Sequence, residues 1–372
     1  MRDIKLVVWD LDGTMWDGIW IEDGENVQWK PGIVDVIQKL DQMGILQSIA
    51  SRNVADDEAL MKFLEDKGIM KYMLYPQITH QPKSLSLLMI KNSLGLSRWD
   101  EIAFVDDRDF EREEVAHQYP DVRMLDASNY LELPTMEGIE RDILTDADRR
   151  RRELYQTDQV RQQEAEAYSG DYQGFLETLK MKATIRHMGE DDVPRVHQLM
   201  ERTNRFNTAV EVLPLGRLYQ ILHTHSVTKV WVMELRDRLG DYGLVGFKIV
   251  RSEPVDSIVV FGETAKMPEE EKKLFCIDSM ALSCRIAGRG LGSSLVIHTM
   301  EEAKEKGLDV QAKYRETKHN SKMSQLYDFL GFTEIPEYHY VPGESNRVFL
   351  WHHTGEVPTH ALWLDVTVGD TS

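Results

Sequence analysis

Ile4-Lys5-Leu6-Val7-Val8-Trp9-Asp10-Leu11-Asp12-Gly13-Thr14 is a short, mostly apolar run that breaks off at two carboxylates and a glycine. A run of this length suits the middle of a parallel sheet, where both faces of a strand are covered. Asp10 and Asp12 then stand at the strand's carboxyl end, the edge at which open α/β sheets bind ligands. Two aspartates one residue apart can divide the labour of phosphoryl transfer: Asp10 attacks phosphorus, and Asp12 moves the proton of the leaving group or of the attacking water. Gly13 and Thr14 let the chain turn after them. The same letters occur in calcium loops and in ordinary turns. A calcium loop would need oxygen ligands at alternate positions and a Glu at the twelfth, which this sequence lacks. A plain turn stands as the reading unless later motifs join it.

Three later points do join it, each behind its own apolar run. Ile45-Leu46 and Ile49-Ala50 form a strand ending in Ser51-Arg52-Asn53, whose hydroxyl and backbone N–H groups suit phosphate oxygens. Lys83, after Gln81-Pro82, opens a helical pattern of Leu85, Leu87, Leu88 and Ile90 and supplies a fixed positive charge. Ile102-Ala103-Phe104-Val105 is a further strand and ends in Asp106-Asp107. Adjacent acids repel unless a cation sits among them. Asp10, Asp12 through its backbone carbonyl, and Asp106 or Asp107 therefore make an oxygen-rich Mg2+ site. The order of acidic pair, Ser, Lys and second acidic pair resembles the four motifs of the haloacid dehalogenase-like (HAD) phosphotransferases.

At 372 residues the chain has room for two domains, each with its own core, and 42% hydrophobic residues mark it as globular. A formal charge of −19 argues against general nucleic-acid binding, which calls for a basic footprint. Cys276 and Cys284 are eight residues apart on one strand and its exit, so extension would hold the sulfurs roughly 25 Å apart and no mutual disulfide is expected. With no signal peptide before the first strand and no apolar stretch near ~20 residues, a cytoplasmic enzyme without membrane spans is the expectation.

Residues 1–133 alternate strands with helices, which predicts a doubly wound parallel sheet with helices on both faces. A helix runs from Ile33 to Met43, and another starts near Asp56-Asp57, acids that suit a helix N-terminus. Fewer than about 40 residues separate the first two motifs, enough for a hairpin flap around Asp17 and Glu22-Asp23-Gly24-Glu25 but not for a large cap. Residues 134–181 read as a charged helical linker. Its run Arg149 to Arg152 is either a solvated helix face or a docking patch for an acidic protein.

Residues 182–372 read as a second α/β domain. Lys182 to Arg186 form a strand, Glu190-Asp191-Asp192-Val193-Pro194 opens a helix, and further strands cover Val230 to Leu235, Leu244 to Val250, Ile258 to Phe261 and Leu274 to Leu282. The last runs into Ser283-Cys284-Arg285-Ile286-Ala287-Gly288-Arg289-Gly290 and then a helix carrying Leu291, Leu295, Val296 and Met300. Arg-x-x-Gly-x-Gly at that junction places backbone N–H groups and a helix N-terminus around an anion. Downstream, Tyr327-Asp328-Phe329-Leu330-Gly331-Phe332 passes from helix to strand, and Tyr327 serves either helix-to-sheet packing or the substrate. Loop and tyrosine together resemble the Gcn5-related N-acetyltransferase (GNAT) fold, in which such a loop holds a pyrophosphate. Cys284, beside Arg285 and close to a helix N-terminus, is placed to attack an acyl carbon as thiolate. Cys276 reads as a small buried apolar residue. Thr359 to Leu364 reads as a docked final strand or part of an interface.

A HAD-like half joined to a GNAT-like half resembles the FkbH-like proteins of polyketide biosynthesis. The resemblance is carried by Phe104-Val105-Asp106-Asp107 with Glu111-Arg112-Glu113-Glu114-Val115, Gln81-Pro82-Lys83-Ser84, Thr203-Asn204-Arg205-Phe206-Asn207, Gly243-Leu244-Val245-Gly246 and Ser283-Cys284-Arg285 with Gly288-Arg289-Gly290. It implies an enzyme that takes the glyceryl unit of 1,3-bisphosphoglycerate, removes phosphate, holds the acyl group on a cysteine and passes it to the phosphopantetheine thiol of an acyl carrier protein. The roles implied are Asp10 and Asp12 in phosphoryl transfer, Ser51, Arg52, Asn53 and Lys83 at the phosphate, and Asp10, Asp12, Asp106 and Asp107 at Mg2+. Cys284 would carry the acyl group, Arg285, Gly288, Arg289 and Gly290 would hold the phosphopantetheine, Asn204 and Asn207 would either touch the acyl substrate or cap a helix or stabilise a turn, and Tyr327 would touch the acyl substrate. A rival is a magnesium phosphatase whose second domain only binds a ligand. The chain departs from the family where Asp12-Gly13-Thr14-Met15-Trp16 replaces Asp-Asn-Thr-Leu-Trp and Ser51-Arg52-Asn53 replaces Ser-Lys-Asn.

Overall fold

The computed structural model describes residues 3–53, 58–140, 144–209, 211–224, 227–252, 257–260, 263–266, 274–335 and 346–369. Asp56, Asp57 and Phe261 lie outside them. The chain forms two compact units, Met1–Val160 and Arg161–Ser372, and both are α/β. The stretch 134–181 is divided between them.

In the first unit, five parallel strands stand in the order Gln77–Ile78, Leu46–Ser51, Leu6–Trp9, Ile102–Asp106 and Arg123–Asp126. Every residue of Leu6–Trp9 is buried because the two faces have separate cores. Val7 and Trp9 pack with Ile33, Val36, Ile37 and Leu40, a four-residue apolar stripe on the helix Ile33–Gln42. Leu6 and Val8 pack with Leu87 and Ile90 of the helix Lys83–Ser93 and Val115 of the helix Asp109–Gln118. From the central strand the chain winds first to one side and then to the other. Asp10, Ser51 and Asp106 thus meet at the carboxyl edge, where the winding reverses.

A two-stranded hairpin, Trp16–Asp17 against Gln28–Trp29, follows the first motif and encloses the short helix Trp20–Asp23. Trp16, Trp20, Trp29 and Phe63 pin it down, with ring centroids 5.0–6.4 Å apart. The arginine run is not wholly solvated. Arg149 is exposed, but Arg152 pairs with Asp41 at 2.9 Å, Arg151 donates to the Gly44 carbonyl at 3.1 Å, and Arg150 lies 3.6 Å from Asp146. Arg151 and Arg152 thus tie the start of their helix to the turn at Asp41–Gly44.

The second unit is built on an eight-stranded sheet in the order Thr333–Glu334, Asn346–Trp351, Asp309–Arg315, Leu274–Leu282, Gly240–Arg251, Thr228–Asp237, Met181–His187 and Leu364–Val368. The helices Val193–Arg202 and Leu215–His223 cover one face over Val230, Val232, Phe247, Ile249 and Ala281. Leu291–Lys306 and Ser321–Phe329 cover the other. Ser257–Val260 pairs with Glu263–Lys266 in a separate hairpin. The final strand begins at Leu364 and runs parallel to Met181–Ile185, so the expectation of a strand over Thr359–Leu364 is corrected. Leu362 is exposed, and Trp363 donates to the Arg289 carbonyl at 3.0 Å.

Candidate active site

The cleft at the carboxyl edge of the first sheet holds about 220 Å³ and is lined by Asp10, Asp12, Ser51, Arg52, Asn53 and Lys83, all of which the sequence had singled out. His80, Arg108, Glu111, Ile19 and Ile21 complete it. Lys83 enters at the start of its helix and is buried. Its ammonium donates to Asp10 Oδ1 and, at 2.5 Å, to the Ala50 carbonyl, and it lies 3.4 Å from Asp106 Oδ2. Asp12 is held differently: its Oδ1 accepts from Trp16 Nε1 at 2.8 Å and from the Trp20 amide at 2.9 Å, so the hairpin sets its orientation. Asn53 Nδ2 donates to Ser51 Oγ at 3.1 Å, and both side chains are buried at the strand end.

Carboxylate oxygens of Asp10, Asp106 and Asp107 lie within 4.8 Å of one another. Asp106 Oδ1 accepts from the Arg108 amide at 2.9 Å, whereas its buried Oδ2 takes no hydrogen bond. Burial raises the Asp10 carboxyl to about 7; Lys83 opposes that shift and the Asp106 charge adds to it. Burial likewise raises Asp106. An all-oxygen cluster with a buried, unsatisfied oxygen fits a hard divalent cation, which would relieve the repulsion that now favours protonation. The Asp12 side chain is no part of that cluster; only its backbone carbonyl is left for the role expected of it.

Gly13 makes the cluster possible. Its φ is +72°, and a Cβ there would lie 2.3 Å from Asp107 Oδ2. Gly13→Ala is therefore expected to push the Asp107 carboxylate out of the cluster and to cost about 1–3 kcal/mol of backbone strain. A magnesium titration of phosphate release should show the midpoint rising at least about tenfold, on the scale of one lost ligand contact. An unchanged midpoint would remove Asp107 from the metal site.

In the second unit, Gly288 and Gly290 take φ of +76° and +85°, and Gly290 caps the sixteen-residue helix Leu291–Lys306. The first helical bond is Ser294 N–H to Gly290 O at 3.1 Å, which leaves the preceding amides facing outward. They border a cleft of about 190 Å³ lined by the loop 286–293 together with Phe206, Leu282, Ser283, Lys322, Met323 and Leu326. Arg289 also lines it. Its guanidinium donates to the Tyr242 hydroxyl, which donates on to Asp237 at 2.9 Å, and Asp237 is held bidentately by Arg161. Lys322, unforeseen from the sequence, is the lysine at this cleft. Arg285 and Cys284 do not line it; Cys284 is exposed beside Ser283, which does.

Asn207 and Tyr327 are corrected as substrate contacts. The strands Leu274–Leu282 and Asp309–Arg315 pair from Leu274↔Asp309 to Ile277↔Ala312 and then part. Residues 206–208 fill the gap: Leu282 N–H donates to Phe206 O, Thr208 N–H to Met280 O, and Arg315 N–H to Thr208 O, at 2.7–2.9 Å. Asn207 is fully buried, and its side chain serves Ala209 N–H and Met200 O. Asn320 locks the same wedge through Nδ2 to Asn207 O at 2.9 Å. Tyr327 is fully buried against Phe332 and Phe349, with centroids at 5.5 and 5.2 Å. Asn204 is half-buried and lines neither cleft. Cys276 is buried as expected of it, and burial pushes its thiol up to about 11.

No protein-family model matches the chain, and no curated protein does. Among solved structures, it is similar to the N-terminal part of a Bacteroides fragilis protein containing a phosphatase domain complexed with Mg, at 25% identity over 38% of this chain and 42% of that one, TM-score 0.34. It is also similar to a putative GNAT-family acetyltransferase from Desulfovibrio desulfuricans, at 12% identity over 46% of this chain and 99% of that one, TM-score 0.35. The ribosomal-protein-S18-alanine N-acetyltransferase of Escherichia coli matches at 16% identity over 45% of this chain and 90% of that one, TM-score 0.30. Among the described residues, no helix is long and apolar enough to cross a membrane.

Proposed function

We propose that this chain couples a magnesium-dependent phosphatase to an acyl transferase, converting 1,3-bisphosphoglycerate to a glyceryl thioester on an acyl carrier protein, as the FkbH-like family it resembles does. The observation that carries the phosphatase half is the convergence of Asp10, Asp106 and Asp107 around Lys83 in a cleft also lined by Ser51 and Asn53. Asp10, Asp106 and Asp107 would hold a divalent cation, which when bound would supply positive charge to stabilise the phosphoryl group. Asp10 attacks the ester phosphorus, Asp12 delivers a proton to the departing alcohol, and the aspartyl-phosphate is hydrolysed by water that Asp12 deprotonates. Lys83, Ser51 and Asn53 hold the phosphoryl oxygens. At the acyl phosphate, the Cys284 thiolate attacks the acyl carbon and phosphate leaves; the carrier thiol then takes the acyl group. The balance is one carrier thiol and one water consumed and two phosphates released, with no nucleotide.

Support for the acyl half is an exposed thiol next to a glycine loop whose helix N-terminus offers N–H groups to an anionic arm. Intact-mass spectrometry after incubation with 1,3-bisphosphoglycerate tests it. The expected result is a gain of one glyceryl unit, discharged by phosphopantetheinylated carrier protein and absent in Cys284→Ala, which retains the wild-type rate of phosphate release from simple esters. A second reading, a phosphatase whose other unit merely binds a ligand, is favoured by one fact: Cys284 borders the cleft without lining it. It predicts no covalent gain in mass and no effect of Cys284→Ala on any activity.

A further inference from the structure

Two indole N–H groups of the hairpin in the first unit are buried, and they are spent differently. Trp29 Nε1 donates to no acceptor among the described residues, although its ring packs against Trp16 and Phe63 at 5.2 and 5.8 Å. Trp16 is wholly buried in the same aromatic cluster, and its Nε1 donates at 2.8 Å to Asp12 Oδ1. An indole in this cluster can stay unpaired, so packing alone does not demand the bond to Asp12. The backbone sets its reach: Asp12 and Trp16 face each other across an isolated bridge, and Trp16 pairs with Trp29 across the hairpin.

Oδ1 of Asp12 receives a second donor, the Trp20 amide at 2.9 Å. Indole and backbone N–H groups donate and do not accept. A proton on Oδ1 would meet two other hydrogens, so a protonated Asp12 carries its proton on Oδ2. The side chain is half-buried and lines the cleft with Asp10 and Lys83, while Oδ1 is turned to the hairpin. The hairpin thereby distinguishes two oxygens that are equivalent in a free carboxyl group.

We propose that Trp16 is a positioning residue: its indole N–H, together with the Trp20 amide, holds Asp12 so that Oδ2 alone exchanges a proton with the ester oxygen and with water. This deepens the phosphatase reading and rests on it. As an Asp10 carboxylate oxygen bonds to phosphorus and the ester P–O bond breaks, the proton passes from Asp12 Oδ2 to the ester oxygen and the alcohol departs. In the return step a water oxygen bonds to phosphorus, the bond from phosphorus to Asp10 breaks, and one water proton comes back to Asp12 Oδ2. Oδ1 stays an acceptor throughout, so one arrangement of the hairpin serves both steps.

The test sets two esters side by side in the full-length protein with magnesium: p-nitrophenyl phosphate, whose phenolate leaves without a proton, and glycerol 3-phosphate, whose alkoxide requires one. The readout is kcat/KM, which covers the steps through departure of the alcohol and leaves out the later hydrolysis. Trp16→Phe keeps a ring in the cluster and loses the N–H. It is expected to lower kcat/KM for glycerol 3-phosphate at least about tenfold, a fraction of what general acid catalysis contributes, and to leave p-nitrophenyl phosphate nearly unchanged. Asp12→Asn should give the same pattern more strongly. Trp29→Phe, which trims the same cluster without touching Asp12, should not separate the two esters. If Trp16→Phe does not fold, the Trp16 indole proton resonance decides: it should move upfield in Asp12→Asn, where a neutral amide replaces the charged acceptor, and an unmoved resonance overturns the proposal. Equal losses on both esters in Trp16→Phe, or none, would overturn it while leaving the phosphatase standing. Wild-type protein that releases phosphate from neither ester would overturn both.

Discussion

Asp10→Asn is expected to lower magnesium-dependent phosphate release by about 10⁴-fold or more, the scale seen when an enzyme loses its nucleophile. The amide has the size of the carboxyl group but no charge and little nucleophilicity, so chemistry is lost while shape is kept. Lys83 retains the Ala50 carbonyl and its proximity to Asp106 in the variant. The fold should therefore survive, which thermal unfolding monitored by circular dichroism will show. Residual release above about one part in a hundred would mean that Asp10 is a ligand or a spectator and that water attacks phosphorus directly. If the same protein still acquires a glyceryl unit on Cys284, the two chemistries are separable.

Lys83→Met should have the largest effect on stability. Lys83 is the one cation paired with Asp10 and Asp106 among the described residues, and both acids are nearly or wholly buried. Removing one partner of a buried ion pair costs about 3–5 kcal/mol, because the charge left behind has neither water nor a counterion. For a unit of this size the loss corresponds to roughly 10 °C in Tm. Magnesium should return part of it, since a cation among Asp10, Asp106 and Asp107 replaces the missing positive charge. The variant's Tm should therefore respond to magnesium, and to its removal by chelation, more strongly than the wild type's. A variant as stable as the parent in chelator would show that the acids are uncharged in the resting protein and that Lys83 serves catalysis alone.

The carboxylate-lined cleft of the first unit was largely legible in the sequence because Asp10, Ser51, Arg52, Asn53 and Lys83 sit within about two positions of a strand or helix end. An apolar run stopping at Asp10, Ser51 or Asp106 states both the element and the edge, and a parallel sheet brings such edges together whatever the loops do. Glu111, Arg108 and His80 were not assigned roles from sequence, since a charge one turn into a helix or in a loop looks like any solvated charge. Only packing shows that Glu111 is buried and faces the cleft. Asn207 and Tyr327 failed for the converse reason. Their chemistry is that of ligand contacts, but the two strands part after Ile277 and Ala312, and the chain uses Asn207 to fill the opening from within.

What the sequence determined by itself was the periodicity and its punctuation: which runs become buried strands, where carboxylates, hydroxyls and glycines interrupt them, and hence one α/β unit with a carboxylate-bearing edge and another with a glycine loop. Tertiary structure alone decided which polar groups are spent on the protein and which remain for a ligand. Arg289, committed to Tyr242, and Arg108, left mostly exposed beside Glu111, are the same residue type in similar loops. The difference arises because a guanidinium binds whichever acceptor folding brings within about 3 Å, and that acceptor can come from anywhere in the chain.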